Sequence, residues 1–175
     1  MGARETVLRA VGPSEGGSAP PAWIHPPGGG FKEFEARFQE NGGEIVTERE
    51  IASMVGRAWF LDRDLGPLPP AWGEYIAASP WQADLGVTVC DALVPETGSV
   101  VISSAPGRGR LTSLAVPTHL VLADRTQLVA NLAEAVSRLG NRSAVIVTGP
   151  SRSADIEGEM VRGVHGPKRL LLIWR

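Results

Sequence analysis

Three short apolar runs in the second half of the sequence constrain the fold most. They are His119–Ala123, Ala144–Thr148 and Leu170–Trp174, and each has the length of a β-strand. The stretches between them are long enough to hold helices, and strands that alternate with helices usually lie parallel. Ala144–Thr148 has no polar face before its end, which is typical of a strand covered on both sides. The sequence therefore predicts an α/β fold with a mainly parallel sheet.

Two helices are predicted between these strands. Asp124 and Gln127 have the spacing of a capping box, so a helix is expected to follow them and to end at Gly140. A second helix is predicted over Ser153–Val161. The residues that the first helix is expected to bury are Leu128, Leu132, Val136 and Leu139.

The earlier part of the chain predicts shorter elements. Phenylalanines at helical spacing predict a helix over Phe31–Asn41, which Gly42–Gly43 ends. Thr47 and Glu50 form a second capping-box pattern, and the helix that they open would bury Ile51, Met54, Val55 and Ala58. The remaining predicted elements are strands at Glu44–Val46, Leu85–Cys90, Ala92–Val94 and Ser99–Ile102, a turn at Pro95–Gly98, and loops at Leu65–Pro80 (with a short helix over Trp72–Ala78) and Ser103–Pro117.

Composition narrows the class of protein. The 175 residues suit a single domain, and the net charge of −2 argues against a general binder of nucleic acid or of a membrane surface. A Pro-, Gly- and Ser-rich run begins at Gly12, so residues 1–21 are predicted to be flexible and residues 22–175 to form the domain. There is no apolar run near the ~20 residues of a membrane span and no secretory signal pattern, so we expect a cytoplasmic protein.

Cysteine and histidine usage limits the chemistry that the chain can carry alone. Cys90 is the only cysteine, so an intrachain disulfide is impossible. An iron–sulfur cluster needs about four thiolates, which one cysteine cannot supply. His25, His119 and His165 lack metal-ligand spacing. We therefore expect that this chain binds no cofactor or metal itself.

The principal candidate site is the loop that joins the predicted strand Ala144–Thr148 to the predicted helix Ser153–Val161. Such loops leave the carboxyl ends of parallel strands, where α/β sheets bind ligands, and a helix N-terminus offers free N–H groups to an anion. In the alternative interpretation, Ser153 only caps the helix and the following carboxylates only complement its dipole. The residues expected to bind the ligand here are Thr148, Gly149, Ser151, Arg152, Ser153 and Asp155.

Further polar residues are candidates for the same site. Glu96, in the turn Pro95–Gly98, could act as a nucleophile or general base, or could be an ordinary exposed turn residue. His165 lies in a glycine-flanked loop and could bind an anion or transfer a proton, or could simply be solvated. Arg108 and Arg110 could complete an anion site, or could simply be solvated. Gly149-x-Ser151-x-Ser153 also resembles a nucleophile elbow, although a serine replaces the second glycine.

Several of these segments together resemble the LUD-domain family, the lactate utilisation protein C group. The resemblance covers roughly residues 30–175, and Arg110, Pro117 and His119 also fall where the family tends to carry those residue types. It implies a three-layer αβα fold similar to NagB, ribose-5-phosphate isomerase and CoA transferases. The segments that carry it are Asp84–Thr88, Pro95–Ser99, Thr148–Glu157 and Gly163–Pro167.

The resemblance also implies a function, the oxidation of L-lactate to pyruvate. We expect an accessory subunit of an oxidoreductase whose cysteine-rich and ferredoxin-like partners carry the iron–sulfur clusters. It would bind a small carboxylate or phosphate over residues 144–157, with Thr97 and Gly98 as a neighbouring wall and with Arg110 and His165 reaching in. One alternative is a stand-alone enzyme of the sugar-phosphate or acyl/CoA-transfer type that uses Glu96, by analogy of fold alone. Another is a non-catalytic assembly or regulatory module.

Overall fold

The computed structural model describes residues 29–53, 59–62, 65, 72, 77–154 and 160–175. The 3₁₀ turns that lie wholly within the described residues are Pro80–Gln82 and Arg125–Gln127. The helices are α1 (Phe31–Glu40), α2 (Glu48–Ala52), α3 (Leu111–Leu114) and α4 (Leu132–Leu139). The strands are β1 (Glu44–Ile45), β2 (Trp59–Leu61), β3 (Leu85–Val89), β4 (Ala92–Val94), β5 (Ser99–Ser103), β6 (Thr118–Ala123), β7 (Ala144–Val147), β8 (Arg152–Ala154), β9 (Met160–Arg162) and β10 (Arg169–Trp174).

A five-stranded parallel sheet forms the centre of the molecule, in the order β1-β10-β6-β3-β2. Leu120 of β6 is in register with Leu171 of β10 on one side and with Val87 of β3 on the other. These three residues are fully buried. Nearly continuous apolar strands of this kind need cover on both faces. The prediction of an α/β fold with a mainly parallel sheet is confirmed.

Both faces of this sheet are covered. On one face, Phe34 and Phe38 of α1 are fully buried against Val121 of β6 and Leu172 of β10. They lie four residues apart, so they share one side of the helix. On the other face, Ile51 of α2 packs against residues of β3, β6 and β10. The helix predicted over Phe31–Asn41 and the capping box of Thr47 and Glu50 are both present.

The prediction that Ala144–Thr148 belongs to the parallel sheet is wrong. The strand β7 pairs antiparallel with β5, in a separate sheet of order β4-β5-β7. The turn at Pro95–Gly98 folds β4 and β5 into a hairpin, and the free edge of β5 then takes up β7. The side chain of Ile146 is 43% exposed, so this strand is not covered on both sides. An apolar run predicts a strand, but it does not identify the edge that the strand joins.

The prediction of a helix over Ser153–Val161 is also wrong. The strands β8 and β9 pair antiparallel there, with Ser153 opposite Val161. Residues 155–159, which include the predicted site residue Asp155, lie outside the described residues. A glycine at position 158 and the lack of a clear apolar stripe weaken any helix in this segment. Strand pairing satisfies the same backbone groups without needing helix propensity.

The helix predicted directly after Asp124 begins later than expected. The capping box of Asp124 and Gln127 forms, but it opens only the 3₁₀ turn. Leu128 is extended, and the N–H of Val129 donates to the Leu93 carbonyl, which holds this stretch against β4. The helix α4 starts at Leu132 behind the cap Asn131 and ends at Gly140, as predicted. Because of the shifted start, the helix buries Ala135 and Leu139.

Several other sequence predictions have simple outcomes. Val136 is exposed rather than buried, and Leu132 is only partly buried. The loop Ser103–Pro117 contains the short helix α3. Residues 1–21, the stripe residues Met54, Val55 and Ala58, and most of Leu65–Pro80 lie outside the described residues. Among the described helices, none combines the length and the apolar character that a bilayer crossing requires.

Candidate functional site

The residues predicted to form one ligand site lie in separate parts of the structure. Thr97, Gly98, Thr148 and Gly149 pack around the C-terminal end of α1. Three serine and threonine hydroxyls form a chain there: Thr97 Oγ1 lies 2.7 Å from Ser99 Oγ, which lies 2.6 Å from Thr148 Oγ1. Asn41 joins the helix to this chain by donating from Nδ2 to the Thr97 carbonyl at 2.8 Å. These hydroxyls therefore hydrogen-bond to one another.

The two glycines of this region allow close packing of backbone. A Cβ on Gly98, where φ is +63°, would lie 2.4 Å from the Phe38 nitrogen. A Cβ on Gly149, where φ is +97°, would lie 2.5 Å from the Asn41 carbonyl oxygen. Such distances leave no room for a side chain, and positive φ also favours glycine. Packing against α1 accounts for both glycines.

The segment Ser151–Ser153 does not present the anion site that a helix N-terminus would offer. The N–H of Ser151 donates to the Pro167 carbonyl at 2.8 Å, and the Ser151 carbonyl accepts from the Gly163 N–H at 3.0 Å. Arg152 donates from Nη2 to the Asn41 carbonyl at 2.7 Å. Ser153 lies in a strand, so no helix begins there. The free N–H groups of a helix N-terminus, on which the sequence prediction depended, are therefore absent from this segment.

Glu96 has a structural partner at the start of a helix. Its Oε1 accepts the N–H of Leu132 at 2.9 Å, and Leu132 is the first residue of α4. The first N–H groups of a helix have no partner within the helix, so a carboxylate there stabilises its start. The geometry gives Glu96 a capping role, and a catalytic role stays a prediction.

We expect Glu96→Ala to lower the free energy of unfolding by about 1 kcal/mol, because the Leu132 N–H loses its acceptor. Glu96→Gln keeps an acceptor oxygen and should remain within about 0.5 kcal/mol of the wild type. Urea denaturation of both variants measures the difference. Equal loss in the two variants would show that the negative charge itself, rather than the hydrogen bond, is what the fold requires.

A groove with a volume of about 440 Å³ lies at the amino-terminal edge of the parallel sheet. Pro117 precedes β6 and Lys168 precedes β10, and the Lys168 N–H donates to the Pro117 carbonyl at 2.8 Å. Four large apolar side chains of this groove stay exposed: Trp81 by 74%, Val164 by 54%, Leu111 by 49% and Leu114 by 39%. The groove is lined by Trp81, Leu111, Leu114, Ala115, Val116, Pro117, Gly163, Val164, His165, Gly166 and Lys168.

The polar side chains of the groove favour an anion. Lys168 and His165 are both exposed, and the described residues that line the groove include no Asp or Glu. His165 was predicted from the sequence, whereas Trp81 and Lys168 were missed. Gly166 lies against Ser151, since a Cβ on this glycine would be 3.2 Å from the Ser151 Cβ. The predicted loop thus borders the groove, although its Ser151 N–H is already bonded to the Pro167 carbonyl.

A cluster of charged side chains lies at the opposite, carboxyl-terminal edge of the sheet. Arg108 pairs with Asp62 after β2 (Nε to Oδ2, 3.8 Å) and with Asp91 after β3 (Nη2 to Oδ2, 3.5 Å). Arg142 also contacts Asp91, at 3.1 Å. The predicted site residue Arg110 is exposed and lines a narrow cleft beside Arg108. Arg110 and His165 therefore line different cavities.

Asp91 is the centre of this cluster. It accepts from the backbone N–H of Ser103 at 2.7 Å and from the Ser103 hydroxyl at 2.9 Å. Burial alone would raise the pKa of Asp91, but the Ser103 hydrogen bonds and the charges of Arg108 and Arg142 together hold it below its usual value. The carboxylate therefore stays ionised and ties β3 to β5.

Two buried ionisable groups are held neutral. Burial raises the pKa of Cys90 to about 12, and its thiol donates to Gln127 Oε1 at 3.2 Å. Burial lowers the pKa of His119 to about 3, and its Nε2 lies 2.9 Å from Thr88 Oγ1. Neither group is exposed to a ligand from solvent. Within the described ranges, no group of three or more His, Cys, Asp and Glu residues is placed to hold a metal ion.

Comparison with known proteins finds relatives of similar sequence. A family model described as LUD domain matches residues 56–174. Lactate utilization protein C of Bacillus subtilis is 30% identical over 148 residues, which cover 79% of this chain and 59% of that protein. The protein of the same name from Bacillus licheniformis is 37% identical over 146 residues, or 78% and 58% of the two chains.

A further protein of that name, from Halalkalibacterium halodurans, is 34% identical over 110 residues, or 58% of this chain and 48% of that protein. The chain thus spans about half the length of the curated relatives it matches. A crystal structure of a DUF162 family protein from Deinococcus radiodurans aligns with a TM-score of 0.55 and 20% sequence identity. This alignment covers 82% of this chain and 94% of that one, so the two share a fold.

Proposed function

This chain belongs to the LUD domain family, and from that membership we propose that it acts in lactate utilization, as one subunit of a system that oxidises L-lactate to pyruvate. The names of the relatives support the pathway. The family match spans β3, β6 and β10 of the central sheet and the residues that line the groove.

The proposed partners are cysteine-rich and ferredoxin-like iron–sulfur proteins. Conversion of L-lactate to pyruvate releases an electron pair and protons, and enzymes hand such electrons to redox cofactors. The 175 residues contain one cysteine, and its thiol is buried with a raised pKa. A thiol in that state is a poor metal ligand, because thiolates are the ligating form. In this proposal the chain therefore supplies binding, and its partners supply the clusters.

The proposed ligand site is the groove, and the proposed ligand is a small carboxylate or phosphate. The observation that carries this proposal is that His165 and Lys168 line the same groove, whose described lining has no carboxylate. A cationic donor strengthens a hydrogen bond to an anion. This proposal moves the ligand away from the amides of Gly149–Ser153, because the helix that would have freed them is not formed.

Calorimetry with L-lactate, pyruvate and phosphate tests this site. We expect the double variant His165→Ala/Lys168→Ala to bind at least one of these anions about 100-fold or more weakly, because each of the two hydrogen bonds to the charged ligand contributes roughly 1.5–3 kcal/mol. Lys32→Ala, which removes an exposed lysine of α1, is the matched control and should bind as the wild type does. Equal affinity in the double variant and the wild type would reject the groove as the anion site.

Reconstitution tests the role of the chain as a subunit. L-lactate-dependent reduction of an artificial acceptor should require this chain together with iron–sulfur partners purified from the same source. Partners that oxidise L-lactate equally fast without the chain would contradict the proposal. Turnover of a sugar phosphate or an acyl-CoA by the chain alone would support a stand-alone enzyme instead.

A further inference from the structure

We propose that the groove binds a planar aromatic ring joined to an anionic group, as in a mononucleotide, rather than a three-carbon acid alone. This inference rests on the proposed function for the anionic end of the ligand and extends it to the rest of the groove. It assigns the ring to Trp81 and the anion to Lys168 and His165.

The size of the groove is the first argument. A volume of about 440 Å³ lies within the range of roughly 300–1,000 Å³ that is usual for sites of larger organic ligands. A three-carbon acid would contact the charged groups and leave most of this volume empty. The remaining space must be filled by another part of the same ligand or by water.

The apolar walls are the second argument. Leu111 and Leu114 of α3 line the groove together with Val164 from the loop before β10, and all three are exposed. Apolar side chains that stay exposed in a groove become more stable when a ligand covers them. A hydrated three-carbon acid covers little of this surface, whereas a flat ring system covers it and gains hydrophobic free energy.

Trp81 supplies the surface on which such a ring can stack. It lies in the 3₁₀ turn Pro80–Gln82 and is the most exposed of the large apolar side chains of the described structure. An indole face in this position stacks on planar rings, and base–aromatic stacking typically contributes an affinity change of about 5-fold to 150-fold. The exposed indole of Trp81 is thus energetically unfavourable in the folded protein, and a stacked ring would cover it.

The cationic end of the groove is held in place by the chain. Gly163 has φ of +80°, and a Cβ there would lie 2.2 Å from Lys168 Cγ and 3.0 Å from Lys168 Cε. The stem of Lys168 therefore lies directly on the backbone of this glycine. A lysine held by its stem loses less side-chain entropy when it binds an anion. His165 lies between these residues in sequence and lines the same groove.

Calorimetric titration with AMP and with ribose 5-phosphate tests the proposal, because the two probes differ in the aromatic ring. We expect AMP to bind at least 10-fold more tightly than ribose 5-phosphate. Trp81→Ala should remove most of that preference and leave the affinity for ribose 5-phosphate unchanged. Lys168→Ala should lower the affinity for both probes by about 10-fold. FMN, titrated in the same way, tests a larger ring.

The outcomes separate this inference from the proposed function. Equal affinities for AMP, FMN and ribose 5-phosphate would overturn the ring site, even if L-lactate binding still depends on Lys168. Ring-dependent binding would support the inference even if reconstituted lactate oxidation failed. If no probe binds and Trp81→Ala instead prevents assembly with the iron–sulfur partners, the groove is a protein interface and the inference is overturned. Unchanged thermal unfolding of Trp81→Ala controls for folding.

Discussion

Replacement of Gly98 by alanine is expected to lower the free energy of unfolding by about 2–5 kcal/mol. The new Cβ would lie 2.4 Å from the Phe38 nitrogen and 2.5 Å from the Arg37 carbonyl carbon, both in the main chain of α1. The helix would have to move, which costs about 1–3 kcal/mol, and an L-residue at φ of +63° adds about 1–2 kcal/mol. Urea denaturation of the variant measures the loss.

Two other glycines separate the causes of this effect. Gly140 has φ of +57° and open space around its would-be Cβ, so Gly140→Ala should cost about 1–3 kcal/mol, from backbone strain alone. Gly109 has open space and no positive φ, so Gly109→Ala should stay within about 0.5 kcal/mol of the wild type. If Gly98→Ala unfolds like Gly109→Ala but loses its anion ligand, Gly98 belongs to a binding site after all.

Replacement of Asp91 by alanine is the second large effect, with an expected loss of about 3–5 kcal/mol. The Ser103 N–H and hydroxyl would lose their acceptor, and Arg142 its carboxylate. Arg108, only 12% exposed, would keep Asp62 as its remaining acidic neighbour. Arg37→Ala is the matched control, because it breaks the exposed Arg37–Glu40 pair and should cost no more than about 0.5 kcal/mol. Similar losses in both variants would contradict the structural role of Asp91.

The stabilisation by Asp91 should depend on pH. The folded state lowers the pKa of Asp91. As the solution is acidified, the Asp91 carboxylate therefore becomes protonated in the unfolded chain before it does so in the folded protein. The contribution is therefore complete above the unfolded pKa of about 3.9 and is lost as the pH falls below it towards the folded pKa. Urea denaturation at about pH 7 and at about pH 3 should show that the difference in the free energy of unfolding between the wild type and Asp91→Ala becomes smaller in acid. A constant gap would argue against this assignment.

The candidate site shows the limit of reading function from one segment. His165 and the loop around it were identified from glycine-flanked polar sequence, and they do line the groove. Trp81 could not be found in this way, because it lies far from His165 in the sequence and nothing local connects the two. One local feature of the sequence does point to the groove, namely the pair Leu111 and Leu114 at helical spacing. They lie on a helix that is too short to bury them in a core of its own.

Local patterns alone determined the features whose hydrogen bonds join residues close in sequence. The capping box of Thr47 and Glu50, the Asp124–Gln127 box and the helix end at Gly140 are of this kind. The apolar runs that became β6 and β10 were equally clear, because a strand that is buried on both faces needs apolar residues along nearly its whole length.

Only the tertiary structure decided which partner each segment chose. Ala144–Val147 was apolar enough for either sheet, and the free edge of β5 took it. Arg152–Ala154 became a strand because Met160–Arg162 was there to pair with it. Strand pairing is a contact between segments whose sequences do not encode each other's position, whereas a capped turn carries both of its partners within a few residues.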